Sequence, residues 1–482
     1  MTSSQAHAAI DAVVRLEWAR LVATLAHYTG DVGLAEELAQ DAVVAALEQW
    51  PARGVPDRPG GWLTTVAKRR AIDLFRRHRD LERKYDQIGR ALDETGPGPG
   101  GDLTGGDLDG DAVGDIDDDM LRLIFTACHP ALAVPARVAL TLRLLGGLST
   151  AEIARAYLVP EPTVAQRIVR AKKTLGQARV PFETPDREQR PARLASVLEV
   201  MYLIFNEGYS ATAGDDWMRP DLCAEALRLG RLLAQLAPAE PEVHGLVALM
   251  EIQASRIPAR IGSPGEPVLL LDQDRTRWDQ LLISRGLAAL ARAEQLGGQD
   301  GPYALQAAIA ACHARAFRPE DTDWARITRL YGVLATVQPS PVVELNRAVA
   351  LSMALGPQAG LDLVDQLAGE PALRGYHLLA SVRGDLLMKL GRPAEAQAEF
   401  ERAAALTRNG PERELLARRA RQARAASGQP SADSGADADA GADCEADAGA
   451  DCGTDGGTDS GAVTGRRTAP ARSPGTGRVP PA

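Results

Sequence analysis

The sequence predicts an all-helical protein, and three observations carry that prediction. Of its 482 residues, 45% are apolar but only 4% aromatic. Cores built from Ala, Leu, Val and Ile suit close-packed helices better than β-sandwiches. Apolar residues recur at helical spacing, as in Leu21, Leu25 and Tyr28, then Leu34, Leu38 and Ala45. Gly and Pro break these runs rather than interrupt them, at Gly30, Gly33 and in PARGVPDRPGG over residues 51–61. At roughly 150 residues per domain, the length suggests about three domains.

The elements follow in chain order. Residues 8–50 read as two helices, 51–61 as a loop and 62–90 as a basic helix. Residues 91–119 hold eight glycines and ten acids and read as a flexible linker that packs no core. Helical patterns resume over about 120–180 and, broken by Pro and Gly, over about 190–426. From 427 the chain is Ala/Gly/Asp-rich, with Asp every four residues from Asp439 to Asp459, and reads as a disordered acidic tail. No run of 18 uncharged apolar residues suggests a membrane span. Cys128, Cys223, Cys312, Cys444 and Cys452 form no CxxC, so neither a zinc ribbon nor a disulfide framework is expected, and a reducing cytoplasm is.

Charge is unevenly spread behind a net value of −10. The linker and the tail carry −15 together, which leaves the rest mildly basic at about +5. Residues 1–57 have three basic and eight acidic side chains, whereas 58–90 have ten and four. An acidic surface followed by a basic one suggests two different partners.

The basic helix WLTTVAKRRAIDLFRRHRDLERK (62–84) sets Leu63, Val66, Ala67, Ile72 and Phe75 on an apolar side. Lys68, Arg69, Arg70, Arg76 and Arg77 line the other. One packed and one cationic face suits a phosphate backbone, and Trp62 offers a stacking surface for an unpaired base. A solvated charged helix with a core tryptophan fits the charge pattern equally well.

Residues 147–175, GLSTAEIARAYLVPEPTVAQRIVRAKKTL, read as a helix-turn-helix. Ser149 and Glu152 have capping-box spacing, Leu158-Val159-Pro160 makes the turn, and Pro162 is tolerated in the first turn of the second helix. Val164, Ile168 and Leu175 pack inward. Glu161, Thr163, Gln166, Arg167 and Arg170 face outward, where Arg and Gln can read base edges in a major groove.

A Trp-led basic helix, a flexible linker and a helix-turn-helix, in that order, resemble the bacterial extracytoplasmic-function sigma factors of the sigma-70 family. GDVGLAEELAQDAVVAALEQW (30–50) is similar to the family's polymerase-binding helix, and WLTTVAKRRAIDLFRR (62–77) to its −10 helix. DMLRLIFTACHPAL, YLIFNEGYSAT, DLCAEALRLGRLLAQL, LLDQDRTRWD and SPVVELNRAVAL extend the likeness to a subgroup with a long tetratricopeptide-like C-terminal extension. The resemblance implies two small helical sigma domains (1–90 and 120–185) joined by the acidic linker 91–119, a helical-repeat domain (190–426) and the tail 427–482. It implies that Glu37, Leu38, Gln40, Asp41 and Val44 face core RNA polymerase. Trp62, Lys68, Arg69, Arg70, Arg76 and Arg77 would hold the melted −10 strand, with the 51–61 loop near a flipped base. Thr163, Gln166, Arg167, Arg170 and Lys173 would contact the −35 duplex of promoter DNA. Pro162 departs from the usual pattern of the recognition helix.

No cofactor, metal or bond chemistry is expected. Gly384, Gly391, Ala396, Phe400 and Ala403 sit at tetratricopeptide spacing, and Gly356 lies 35 residues before Gly391. Stacked helix pairs of this kind present a concave surface, so a protein or effector partner is expected there. Asp272, Asp274, Arg275, Arg277 and Asp279 read as a salt-bridged loop docking two helices, and Cys128-His129 as a buried structural pair.

Overall fold

A computed structural model describes residues 3–92, 112–262 and 266–428. The first helices are α1 (Ser3–Thr29), α2 (Val32–Arg53) and α3 (Pro59–Leu92). Gly30, at φ +69°, ends α1, and the Asp31 carboxylate then caps α2 by accepting from the Leu34 amide at 3.0 Å. The loop expected over 51–61 shortens to 54–58. Pro51 is carried inside the last turn of α2, and Pro59 opens α3, where its missing N–H costs nothing.

Four helices follow: α4 (Ala112–Ala127), α5 (Val134–Leu144), α6 (Thr150–Ala156) and α7 (Glu161–Gln177). The start of α4 corrects the expected linker 91–119, whose last eight residues are helical. Met120, Leu123 and Ile124 are buried at helical spacing, and this apolar run carries the helix back through the acidic residues before it. Residues 93–111 and the tail from 429 lie outside the described residues.

The remainder is α8 (Arg190–Tyr209), α9 (Pro220–Leu236), α10 (Pro241–Ala254), α11 (Gln280–Gln295), α12 (Pro302–Arg315), α13 (Trp324–Val337), α14 (Pro341–Leu355), α15 (Pro357–Leu367), α16 (His377–Lys389), α17 (Pro393–Leu406) and α18 (Gly410–Ala426). Proline in the first turn opens most of them. α14/α15 and α16/α17 form helical hairpins, turned at Gly356 (φ +101°) and Gly391 (φ +70°). A Cβ on Gly384 would lie 2.8 Å from the Phe400 ring, so only glycine lets α16 and α17 approach this closely. Two-residue strands, β1 (Ala213–Gly214) and β2 (Arg408–Asn409), pair in parallel.

One apolar core runs without a break from Trp18 to Ala311, and a second spans Leu345 to Ala423. The first core crosses from the helix-turn-helix into α8–α10, so this part of the extension is packed against the preceding helices rather than tethered to them. Among the described residues, no helix is long and apolar enough to cross a membrane.

Candidate nucleic-acid interface

The helix-turn-helix folds as its sequence dictates. The Glu152 amide donates to Ser149 Oγ at 3.1 Å, and the Ser149 amide donates to the Glu152 carboxylate at 2.7 Å. Leu158 makes the turn at φ +48°, an unusual value for a branched side chain. On α7, Val164, Ile168, Ala171 and Leu175 are buried. Gln166, Arg170 and Lys173 are exposed and Thr163 and Arg167 half-buried, so the five residues share one outward helix face.

On α3, Leu63, Ala67 and Ala71 are buried, while Arg69, Arg76 and Arg77 are exposed and Lys68 is half-buried. Trp62 is half-buried with its ring edge-on to Trp50 at 5.3 Å, so the core and the surface share it. Arg70 reaches Asp41 on α2 at 3.2 Å, which makes the two faces neighbours.

On α2, Glu37 and Asp41 are exposed and Val44 is 49% exposed. Gln40 is half-buried and donates to the Glu36 carboxylate at 2.7 Å. Leu38 departs from expectation: it is 2% exposed, inside the core among α1–α3, and supports helix pairing rather than offering a surface.

The residue between these surfaces is Glu36, also 2% exposed. Its carboxylate accepts from Arg143 Nε at 2.6 Å and pairs with Lys172 of α7. Burial pushes this carboxyl's pKa up, but Lys172 and Arg143 outweigh it and hold the group below the ordinary carboxylate range. Trp18 Nε1 donates to the Arg143 carbonyl at 3.0 Å, and Arg143 itself donates to the Leu148 carbonyl at 3.1 Å. A second contact lies nearby, where buried Asp119 takes Arg122 at 2.9 Å and His27 at 3.2 Å. The helix-turn-helix and the basic helix's own bundle are thus locked face to face.

Residues 14–80 match the family described as sigma-70 region 2, and residues 122–175 the family described as sigma-70 region 4. The chain belongs to the sigma-70 family. It is an extracytoplasmic-function-like sigma factor with a C-terminal extension, whose residues 193–294 match a family of unknown function, DUF6596. An uncharacterized protein of Rhizobium meliloti (strain 1021) is 46% identical over 389 residues, covering 80% of this chain and 89% of that one. No solved structure matches the chain at a significant level. As a sigma factor it binds core RNA polymerase and promoter DNA in transcription initiation.

In this sigma factor the extension grips region 4 directly. Arg137 of α5 donates to Ser196 at 2.5 Å and to Glu199 at 2.9 Å on α8. Arg193 reaches the Phe125 carbonyl at 2.9 Å, and Arg228 the Leu145 carbonyl at 2.6 Å. The turn residue Leu158 sits so close to Gly214 that a Cβ there would collide with it. Of the expected buried pair Cys128-His129, Cys128 is buried, with its thiol pushed up to about 11 by burial and its carbonyl accepting from Ser196 at 2.6 Å, whereas His129 is only half-buried.

Sequence reasoning missed Glu36, Arg143 and Lys172. One signal was available: Glu36 interrupts the stripe Val32, Ala35, Ala39, Ala42, where an acid stands only if it is paired. The 270–279 loop docks helices as expected. Asp274 and Asp279 cap the following turns, while Arg275 donates to the carbonyls of His313 (3.0 Å) and Ala316 (2.8 Å).

Proposed function

We propose that this sigma factor has a closed resting state, held by the Glu36 clasp, and that the extension governs it by keeping region 4 folded and positioned. In the open state Glu37, Gln40, Asp41 and Val44 meet core polymerase. Trp62, Lys68, Arg69, Arg70, Arg76 and Arg77 hold the −10 strand, and Thr163, Gln166, Arg167, Arg170 and Lys173 read the −35 duplex. The observation that carries the reading is the buried Glu36 bridged by Arg143 and Lys172.

The geometry of DNA supports it. Elements 25 base pairs apart lie about 85 Å apart along the helix axis at 3.4 Å per step. With Lys172 in contact with Glu36, α7 lies against region 2, far short of that span. Residues 93–111, at about 3.3–3.6 Å each, reach at most roughly 70 Å, enough for the two regions to separate widely once the clasp opens. Tetratricopeptide-like hairpins in the extension supply the surface at which a protein or effector acts.

The test is transcription with purified core polymerase, alongside the distance between fluorophores at Arg83→Cys and Gln177→Cys in a chain with Cys444 and Cys452 replaced by Ser. Glu36→Gln is expected to lengthen that distance and raise initiation. An unchanged distance would overturn the clasp. Trp62→Ala and Arg167→Ala are expected to lose specific initiation while still binding core polymerase. A 1–189 fragment is expected to lose activity, because its removal of α8–α10 uncovers the core of region 4; higher activity would instead assign the extension a masking role.

A further inference from the structure

Between α10, α12 and α13 lies a cavity of about 20 Å³ whose polar lining is Gln253, Arg256, Gln306, His313 and Tyr331. Arg256 is 3% exposed. Its guanidinium lies 5.2 Å from the centre of the Trp278 ring and makes one long contact, 3.4 Å, to the Ala310 carbonyl. Its Nε has no hydrogen-bond partner. Among the described residues, no carboxylate lies within ion-pair distance of it. A guanidinium keeps its charge even when buried, and only the Trp278 ring face and one long carbonyl contact stand against the loss of its water.

The neighbours sharpen the imbalance. Arg275 lies 5.0 Å from the same Trp278 ring, and its Nε is also without a partner. His313 is 2% exposed, its ring edge-on to Trp324 at 5.1 Å, and its Nδ1 has no partner. Burial, then Arg256 and Arg275, drive its pKa well below the usual imidazole range, so the ring is neutral and Nδ1 is free to carry the proton and donate. Gln306 spends its carbonyl oxygen on the Tyr202 hydroxyl at 3.1 Å. The cavity therefore sets one buried guanidinium beside two unused donor atoms, Arg256 Nε and His313 Nδ1, and it holds one or two water-sized atoms.

We infer that this cavity is a binding site for a small monovalent anion of halide or formate size, held by Arg256 and His313. A bound anion completes the charge balance of the extension's core and ties α10 to α12. Phosphate and larger organic anions are excluded by volume. The site lies away from the DNA- and polymerase-facing surfaces, so it stands whether or not the clasp is correct.

The experiment uses the full chain in sodium gluconate, an anion too bulky for the cavity, exchanged stepwise for chloride, bromide or formate at constant ionic strength. The midpoint of thermal unfolding is expected to rise saturably, as it does when a ligand binds only the folded state. Arg256→Met is expected to weaken the apparent affinity at least tenfold. If that variant folds poorly, Gln306→Glu answers the same question, because it brings its own carboxylate into the cavity: its midpoint should be high in gluconate and unresponsive to chloride. Crystals soaked in bromide should show an anomalous peak beside Arg256 Nε and His313 Nδ1. A flat wild-type response, a Gln306→Glu variant that responds like wild type, or bromide bound elsewhere only would each overturn the site.

Discussion

Two buried charge clusters in this molecule solve opposite problems. At Glu36 one carboxylate is sealed between two cations that each keep about a fifth of their side chain in water. At Arg256 a cation is sealed with a neutral histidine and another arginine for company. The first cluster is complete within the chain but spans two parts of it. It can therefore separate, since Arg143 and Lys172 regain water on opening. The second lies within one domain and is incomplete, so it cannot relieve itself by moving apart. Complementary charge at a joint makes a lock, whereas unbalanced charge in a core makes a receptor.

The sharpest way to break this comparison is at Glu36. Removing one partner of a buried ion pair costs about 3–5 kcal/mol. Glu36→Ala should remove most of that from the closed arrangement, without unfolding either helical bundle. Small-angle scattering should show a larger radius of gyration, with helix content by circular dichroism unchanged. Lowering the pH tests the same group without mutation. Its pKa is held below the ordinary carboxylate value, so its contribution is complete above about pH 5 and fades as pH falls through about 4.5 toward the folded value. Fluorophore separation should increase over that acid range in the wild type and not in Glu36→Gln.

Lys172→Met should have a smaller effect, about 1.5–3 kcal/mol, because Arg143 still holds the carboxylate. It should leave −35 binding intact, as Lys172 lies off the face formed by Gln166, Arg170 and Lys173. Ser149→Ala should cost about 1 kcal/mol through loss of the cap. Its thermal midpoint should fall slightly while the fluorophore distance stays the same, which separates stability of region 4 from closure.

Much of the fold was legible because local rules and packing agreed. The Ser149–Glu152 box, the Leu158–Pro160 turn and the glycine at 384 each announce a local geometry that the chain then adopts. The misreadings were local rules overridden by packing. Residues 112–119 close a stretch that looked too acidic and glycine-rich to fold, yet α4 extends into them from the apolar run that follows. Pro51 read as loop because a proline breaks an ideal helix, but near a C-terminal end the cost is small. Leu38 was read as facing polymerase along with Glu37, and Glu36 beside them was passed over. Which of them faces inward depends on where α1 and region 4 lie, and pairings of more than a hundred residues' separation leave no trace in local spacing. The Arg256 cluster was invisible for a similar reason, since Arg256, Trp278 and the α12 pair Gln306 and His313 come from three separate segments.

The pairing of β1 with β2 has a consequence for timing. The buried Asn409 side chain donates to the carbonyls of Ala211 and Asp216, both at 2.9 Å, and so closes the loop against which Leu158 rests. A ribosome making this chain releases the whole DNA-reading segment long before it reaches residue 409. Until then the loop beside the recognition turn lacks its last two hydrogen bonds. A prematurely terminated product would carry the whole helix-turn-helix and still lack the hydrogen bonds that close the loop beside its turn, so the fold around that turn is complete only when the polypeptide is.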